Sequence, residues 1–385
     1  MLIYNAVVHP MDAPLLPSGF VEWEQGKLTR IGSMANCPTP VLGSSLDAQG
    51  SHLLPGFVDT HCHLGMLADG LSYDDDDCNE ISDPCTPHLR AIDGLYPMDY
   101  CFQEAREAGV TTVLTGPGSS NAIAGQVAAV KTVGRWVDDM VILAPAAMKF
   151  ALGENPKKVY SERNETPATR MATAALIREQ FRKALEYAER VEKSTEDPDE
   201  DPPDYDAILE ALVPVVQGTL PAHFHAHRAD DIATAVRIGK EFHLNYVLVH
   251  ATEGYLIPDI LAREGVPVIV GPIISDRSKP ELARLRVTNA AKLAQAGVSV
   301  AICTDHSELP IQYLPLSAAL AAKEGMDPET ALAAITLTAA EIGGVADRVG
   351  SLTPGKDADL VLCSEHPFAL SARIQAVFID GIQVK

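Results

Sequence analysis

The sequence predicts an α/β protein in which a (β/α)8 TIM barrel is joined to a β-sandwich domain formed from both termini. In the middle of the chain, β-prone runs alternate with segments of helical periodicity, which is typical of a parallel sheet closed by helices. Both ends contain only short β-prone runs separated by turns rich in proline and glycine. The 385 residues, 46% of them hydrophobic, suffice to bury the core of a barrel and of a smaller domain.

The two β-rich ends are expected to pair in one composite domain, residues 1–52 plus 350–385, which leaves residues 53–349 for the barrel. A turn cluster at 350–359 separates the barrel from the C-terminal runs. The predicted strands of the composite domain are 2–8, 20–23, 27–31, 360–363 and 376–379.

Eight strands and eight helices are predicted for the barrel region. The strands are 54–60, 110–115, 126–133, 146–152, 220–226, 246–250, 266–270 and 298–303. The helices are 100–108, 169–191, 205–216, 230–242, 258–263, 288–296, 316–324 and 328–342. The run 126–133 also fits one face of a helix, in which case residues 141–144 would supply the third strand.

Two insertions interrupt this alternation. Residues 74–96 follow the first barrel strand, so they are expected to lie over its end; they begin with four aspartates at 74–77. An acidic run is usually a solvated face, and a ligand role for these aspartates stays open. Residues 194–204 are acidic and proline-rich, which predicts an exposed, poorly ordered loop without chemistry.

Charge and cysteine content narrow the classes of partner and compartment. The formal net charge of −22 argues against nucleic acid and against an anionic membrane surface, so a small molecule is the expected partner. Seven scattered cysteines without CxxC spacing indicate reduced thiols and a cytoplasmic location. We expect neither a signal peptide nor a membrane span. The sequence leaves the oligomeric state open, a homo-oligomer included.

A metal site is predicted where the first barrel strand ends. His61 and His63 are two residues apart, so their side chains point to the same side of an extended strand and can hold one metal ion between them. The intervening Cys62 points away. Parallel barrels present their chemistry at the C-terminal ends of the strands.

Other strand ends carry residues that also bind metals. His223, His225 and His227 share one face of the predicted fifth strand, and His250 closes the sixth. Asp305 follows the eighth strand, and Lys149 lies within the fourth. The order HxH, Lys, His, His, Asp along one chain is difficult to explain as core packing.

These motifs resemble those of the metal-dependent amidohydrolase superfamily, and within it the branch that contains imidazolonepropionase and prolidase-like relatives. The motifs are PGFVDTHCHLG at 55–65, GVTTV at 109–113, HFHAH at 223–227, LVHATEG at 248–254, TDH at 304–306 and GSLTPGKDADLVL at 350–362. The resemblance spans nearly the whole chain and implies the superfamily and its fold, but it does not identify the substrate.

The resemblance implies roles for individual residues. It makes His61, His63, His225, His250 and Asp305 metal-site residues, with Asp305 and His250 also catalytic. Lys149 occupies the position where two-metal relatives carry a carbamylated lysine that bridges both ions; alternatively it pairs with an acidic neighbour, or Lys131 fills this role. His227 and Arg228 are expected to contact substrate. Independently of the resemblance, so are Asn79 and Arg90 of the first insertion, because the insertion lies over the site and the planar guanidinium of Arg90 suits a carboxylate.

The predicted activity is hydrolysis of an amide or related C–N bond of a small molecule by metal-activated water, with Asp305 transferring the proton. N-acyl amino acids, dipeptides and cyclic amides are the substrate types considered. Zinc is the expected metal, in one or two copies, and the same ligands also suit iron and manganese. The alternatives are a single-metal deaminase or imidazolonepropionase-like cyclic amidohydrolase, and a non-catalytic barrel scaffold.

Overall fold

The computed structural model describes residues 1–67, 76–197 and 199–385 of the chain, so Asp74 and Asp75 of the acidic run lie outside the described residues. The strands in chain order are β1 (Leu2–Val8), β2 (Leu16–Glu24), β3 (Lys27–Ser33), β4 (Ser45–Asp47), β5 (His52–Pro55), β6 (Phe57–Cys62), β7 (Val110–Thr115), β8 (Ile123–Lys131), β9 (Val141–Ala151), β10 (Ala222–Ala226), β11 (Tyr246–His250), β12 (Val268–Val270), β13 (Val300–Ile302), β14 (Leu360–Cys363), β15 (Ile374–Ile379) and β16 (Ile382–Gln383).

In the sequence, the helices all lie between β6 and β14. They are α1 (Ala91–Gly94), α2 (Tyr100–Glu107), α3 (Val137–Met140), α4 (Glu154–Ser161), α5 (Arg170–Glu196), α6 (Ala207–Val216), α7 (Ala229–Glu241), α8 (Pro258–Glu264), α9 (Asn289–Gln295), α10 (Leu314–Lys323), α11 (Pro328–Ala333) and α12 (Leu337–Ile342). Within the described ranges, no helix is both long enough and apolar enough to span a membrane.

Strands β6 to β13 form a nearly closed barrel in which each strand pairs with its neighbours in the sequence. The pairing is parallel except around β8, which runs antiparallel to both β7 and β9. The third predicted strand is therefore confirmed as a strand, and the helical alternative is wrong. The expectation of an all-parallel sheet is also wrong, because β7 and β8 are joined by a short connection at 116–122 with no helix to carry the chain back across the barrel.

The predicted first barrel strand, 54–60, is divided between two sheets. Leu54 and Pro55 pair with β14, whereas Phe57 and the residues after it pair with β7. Gly56 lies between them with no room for a side chain, since a Cβ there would come within 2.0 Å of Thr111 Oγ1. An uninterrupted apolar run thus hides a change of sheet at one glycine.

The strands from both termini pair in a single sheet of eight strands. Its order is β16-β15-β14-β5-β1-β2-β3, with β4 beside β1, so β5 joins the N-terminal strands to the C-terminal ones. The sheet thus combines strands from both ends of the chain, whereas the predicted β-sandwich formed from both termini is not confirmed. Its core is made by apolar side chains from both ends of the chain, among them Ile3, Val21, Leu53, Leu360 and Phe378.

Two predicted segments differ from the structure in extent. The helix predicted over 328–342 is two helices, α11 and α12, separated where Thr336 has φ −137° and ψ −99°. The loop predicted over 194–204 begins later, because α5 continues to Glu196. The acidic composition of this segment did not prevent its first residues from extending a helix of 27 residues.

Side-chain hydrogen bonds close the barrel between β6 and β13, the two ends of the strand order. The buried Asp59 of β6 accepts hydrogen bonds through Oδ2 from the backbone nitrogen and the hydroxyl of Thr304, at 3.0 and 2.6 Å. Its Oδ1 accepts from the nitrogen of His61 at 3.1 Å. The nitrogen of Asp305 donates to the carbonyl oxygen of His61 at 3.1 Å. These bonds bring the two strand ends together.

A buried ion-pair cluster joins the opposite end of the barrel to the terminal sheet. Lys131, the last residue of β8, lies 2.6 Å from Asp359, 3.0 Å from Asp357 and 3.3 Å from Asp380. Lys131 and two of the carboxylates are almost completely buried. Lys27 reaches Asp357 from the surface, with 51% of its side chain exposed.

Replacing Lys131 by Met is expected to lower the free energy of unfolding by about 3–5 kcal/mol, because it leaves buried carboxylates without their cation. The control is Lys27→Met, which removes an exposed partner of Asp357 and should cost about 1 kcal/mol or less. Urea denaturation followed by circular dichroism measures both. Equal losses in the two variants would contradict the structural role of Lys131.

Candidate metal centre

A cavity of about 350 Å³ opens at the C-terminal ends of the barrel strands β6, β9, β10 and β11. The strand ends place six ligand-capable side chains around it, and these come from β6, β9, β10, β11 and the residues after β13. They are His61, His63, Lys149, His225, His250 and Asp305. The structure thus brings together all six residues that the sequence assigned to the metal site.

The first group of donors consists of His61, His63 and Asp305. The Nε2 atoms of the two histidines lie 3.3 and 3.4 Å from Oδ1 of Asp305, so three donor atoms converge on one point. The buried Lys149 lies beside them, with its Nζ 2.9 Å from His61 Nε2. Gly116 fixes the ring of His63, because its carbonyl oxygen lies 2.7 Å from Nδ1.

The second group consists of His225, His227 and His250, all of them buried. The rings of His225 and His250 are 4.5 Å apart and nearly perpendicular, and His250 Nδ1 is 2.6 Å from the carbonyl oxygen of Gly271. A carbonyl bonded at Nδ1 fixes the tautomer that leaves Nε2 of His250 available to a metal.

His227 differs from the other two histidines in orientation. Its ring is stacked on that of His250, with centroids 4.6 Å apart and an angle of 10° between the planes. Imidazole lone pairs lie in the ring plane, and the planes of two stacked rings are nearly parallel, so the two lone pairs do not meet at one ion. His227 therefore lies beside the ligands and lines the cavity, in agreement with the position expected of a residue that faces substrate.

The backbone at two of these strand ends adopts a conformation that residues other than glycine rarely take. His250 has φ 71° and Asp305 has φ 55°, and Ala251 follows at φ 43°. Such conformations cost of order 1–3 kcal/mol each and persist where the surroundings enforce them, which is typical of functional sites.

Burial determines most protonation states in this site. It lowers the pKa of His61 and His225 well below their usual range and that of His250 to about 4. Burial also lowers the pKa of Lys149 to about 8. Neutral imidazoles are the form that binds metals, so these shifts favour ligation across the neutral range.

For His63 and Asp305, neighbouring charged groups outweigh the effect of burial on the pKa. Burial acts to lower the pKa of His63, but Cys78 and Asp305 outweigh it and raise the value to about 10. Burial acts to raise the pKa of Asp305, but His250, His61 and His63 hold it well below its usual range. Asp305 therefore keeps its negative charge although it is buried. The same anionic surroundings that hold a proton on His63 would attract a metal cation.

The donor chemistry agrees with a divalent metal. Imidazole nitrogens and a carboxylate oxygen are ligands for zinc, iron and manganese, and their arrangement in two groups provides donors for one or two ions. Nε2 of His225 is buried, has no hydrogen-bond partner among the described residues and lies 4.0 Å from Oε1 of Glu281.

The residues predicted to contact substrate divide into two pairs. His227 and Asn79 line the cavity, and the side chain of Asn79 accepts a hydrogen bond from the nitrogen of Ser120 at 3.2 Å. Arg228 instead lies at the surface and pairs with Asp230 at 2.9 Å. Arg90 pairs with Asp93 at 2.8 Å and borders a neighbouring cavity, so the structure does not bring either arginine to the histidines.

The alternative that Lys131 supplies the bridging lysine is wrong. Lys131 lies in the carboxylate cluster at the other end of the barrel. The alternative that Lys149 pairs with an acidic neighbour receives no support either, because its hydrogen-bond partner in the structure is His61.

Sequence reasoning missed a charged pair beside the histidines. Lys279 lines the cavity, and Glu281 lies behind it, fully buried, with Oε1 2.8 Å from Lys279 Nζ. Both residues belong to the loop that follows β12. The available signal was the charged run at 276–281, separated by five residues from the strand predicted at 266–270, but a loop gives no periodicity from which to place its side chains.

Residues 52–384 match the family model described as "Amidohydrolase family". The chain belongs to the amidohydrolase family. This result confirms the superfamily that the sequence motifs resemble. The match begins at β5 and runs through the barrel to β16, so it includes both groups of metal-capable residues.

Comparison with individual proteins supports the same assignment. The chain is 32% identical to Amidohydrolase tasK of Hapsidospora irregularis over 94% of its own length and 39% of that protein, so it spans about two fifths of this relative. It is 26% identical to an imidazolonepropionase of Nocardia farcinica over 88% of the chain and 83% of the relative. The crystal structure of an amidohydrolase from Thermotoga maritima is 40% identical, with a TM-score of 0.95 over 100% of this chain and 99% of that one.

The prolidase-like part of the resemblance lies at the level of the fold. A solved prolidase is 16% identical to this chain, with a TM-score of 0.60 over 100% of this chain and 99% of that one. The family model and the relatives agree in their assignment of the chain to the amidohydrolases.

Replacing His61 or His63 by Ala is expected to remove bound metal, because a site that loses one of few donors typically loses the ion. The matched control is His243→Ala, which changes an exposed histidine and should keep the metal content of the parent. Elemental analysis of the purified proteins decides the question. Full metal occupancy in both His61→Ala and His63→Ala would rule out this site.

Proposed function

We propose that this chain is a two-metal amidohydrolase that cleaves an amide or related C–N bond of a small polar molecule. The observation that carries the proposal is the position of Lys149 between the two groups of donors. Lys149 contacts His61 of the first group, and it pairs in register with His223 on β10, the strand that also carries His225 of the second group.

The environment of Lys149 supports its carbamylation. The side chain is 1% exposed, and its partner is an imidazole nitrogen instead of a carboxylate. Burial destabilises the charged form of Lys149 and lowers its pKa to about 8, although the charge of Asp305 opposes this shift. A neutral amine can take up carbon dioxide, and the resulting carbamate offers the hard oxygens that suit two divalent cations.

The residues that would hold the metals are His61, His63 and Asp305 on one side and His225 and His250 on the other, with Lys149 between them. When bound, the metals supply an acidified water molecule and polarise the substrate carbonyl. Zinc is the proposed metal.

Asp305 is the proposed proton carrier. Its carboxylate is held between the Nε2 atoms of His61 and His63, faces the cavity, and keeps its charge. It can accept the proton of the attacking water and return it to the leaving nitrogen. His250 is fixed by Gly271 and is directed toward the same space.

The cavity favours a small, polar substrate with a carboxylate. Hydroxyl and amide side chains dominate its rim, and no Phe, Tyr or Trp from the described residues lines it. Lys279 is the cation that lines the outer part of the cavity, and it is held by Asn155 and Glu281. An N-acyl amino acid or a dipeptide would place its carboxylate near Lys279 and its amide near Asp305.

A second candidate is hydrolysis of a cyclic amide at a single metal. It is favoured by the 26% identity to an imidazolonepropionase over most of both chains. In this case Lys149 would remain an unmodified amine and His250 would contact substrate. The division of the chain into residues 1–52 plus 350–385 and residues 53–349 and the cytoplasmic location are retained as proposals.

The activity is tested with a panel of N-acetyl amino acids, their carboxamides, dipeptides and small cyclic imides. We expect hydrolysis of the carboxylate-bearing linear amides by the metal-loaded parent and loss of activity on chelation. Asp305→Asn should keep most of the metal and lower kcat by about 10²-fold or more, because the amide can still offer an oxygen but cannot accept a proton. Activity of Asp305→Asn within about tenfold of the parent would contradict the proton-transfer role.

Lys149→Ala separates the two-metal proposal from the single-metal one. If a carbamate of Lys149 bridges two ions, the variant should bind at most one metal per chain, and added bicarbonate or a short carboxylic acid should partly restore the second by supplying oxygens. The matched control is Lys131→Ala, which removes the buried lysine at the other end of the barrel and should leave metal content unchanged. A parent-like metal count in Lys149→Ala would favour the single-metal candidate.

A further inference from the structure

Two buried imidazole nitrogens beside the metal centre face the same carboxylate oxygen without a hydrogen bond. They are Nε2 of His225 and Nε2 of His227. The oxygen, Oε1 of Glu281, is 3.6 Å from the nitrogen of His227 and 4.0 Å from that of His225, and it forms an ion pair with Lys279 Nζ at 2.8 Å. Buried polar atoms normally have a partner, so these two nitrogens require an explanation.

Glu281 is held where it is by contacts that do not involve the histidines. Its Oε2 accepts a hydrogen bond from the nitrogen of Glu154 at 3.0 Å, and Oε2 of Glu154 accepts one from the nitrogen of Glu281 at 3.2 Å. These reciprocal bonds join the first residue of α4 to the loop after β12. Gly153 permits this approach, because a Cβ there would come within 2.9 Å of Glu281 Oε2.

Apart from Glu281, His225 and His227 have different neighbours. His227 Nδ1 is 2.7 Å from the hydroxyl of Thr252, and the ring of His225 is nearly perpendicular to those of both His227 and His250. A carboxylate facing Nε2 of an imidazole favours the tautomer that carries its proton there. The opposite nitrogen of His225 is then left with a lone pair for a metal.

We propose that Glu281 is a positioning residue that sets the tautomer and ring orientation of His225 and His227. It acts on the metal centre through His225 and on the substrate side of the cavity through His227. This inference rests on the proposed metal-dependent function, because a tautomer of His225 matters only if that residue is a ligand. Metal-binding histidines commonly donate their second N–H to a carboxylate, and loss of such a carboxylate typically weakens metal binding 10- to 100-fold.

The test compares Glu281→Gln with Glu154→Gln in the full chain. Glu281→Gln keeps the shape of the side chain but removes the negative charge that favours a proton on the facing Nε2 atoms. Glu154→Gln perturbs the same reciprocal contact and does not face the histidines. Metal affinity is measured by competition with a chelator, and the cobalt-substituted proteins are compared by their visible absorption spectra.

We expect Glu281→Gln to bind the second metal about tenfold or more weakly and to change the cobalt spectrum, and Glu154→Gln to match the parent in both. Glu281→Asp should restore part of the affinity, because it returns the charge at a longer distance, whereas a purely structural role would not separate Asp from Gln in this way. Urea denaturation of each variant shows that it is folded.

Parent-like affinity and an unchanged cobalt spectrum in folded Glu281→Gln would overturn the role of Glu281 and leave the proposed function in place. Equal weakening in Glu154→Gln would also overturn it, because the effect would then come from the loop and not from the carboxylate. A parent protein that binds no divalent metal would overturn the proposed function together with this inference.

Discussion

The site depends on one buried carboxylate, that of Asp59, which joins the first and last strands of the barrel. β6 and β13 are the ends of the hydrogen-bonded order, and the contacts from Asp59 to Thr304 and to the nitrogen of His61 hold these ends together. Burial raises the pKa of Asp59 to about 7 even though the hydrogen bonds from Thr304 and His61 oppose this shift. Full burial of this group is tolerated because its oxygens accept hydrogen bonds from three donors.

Closure of the barrel and assembly of the first donor group are therefore the same event. Asp59 lies two residues before His61, and Thr304 immediately precedes Asp305, so the bonds that join the strands also bring these donors to one point. The strained backbone at Asp305 is held by this arrangement and by the bond from its own nitrogen to His61. The second donor group needs no such closure, because His225 and His250 lie on adjacent, regularly paired strands.

The sequence predicted the metal-capable residues because their positions follow from strand periodicity. His61 and His63 share a face, and His250 and Asp305 each follow an apolar run. Alternation also puts His223, His225 and His227 on one face, and the family resemblance selected His225 among them. The same reasoning could not predict the reversed direction of β8, because a strand buried on both faces looks alike in either direction. It also failed where the position of a side chain depends on contacts between loops. Glu281 is held beside the histidines by its hydrogen bonds with Glu154. Arg90 and Arg228 were expected to contact substrate, but each pairs with a nearby aspartate. The change of sheet at Gly56 depends on contact with Thr111, which is far away in sequence.

The reversal of β8 has a consequence for how this enzyme can diversify. In a regular barrel unit the segment after a strand leads into a helix. Here the connection at 116–122 returns directly into a strand, yet it supplies the carbonyl of Gly116 that orients His63, and Gly118, Ser119 and Ser120 on the cavity wall. This hairpin tip can be shortened, lengthened or exchanged without moving any helix of the barrel.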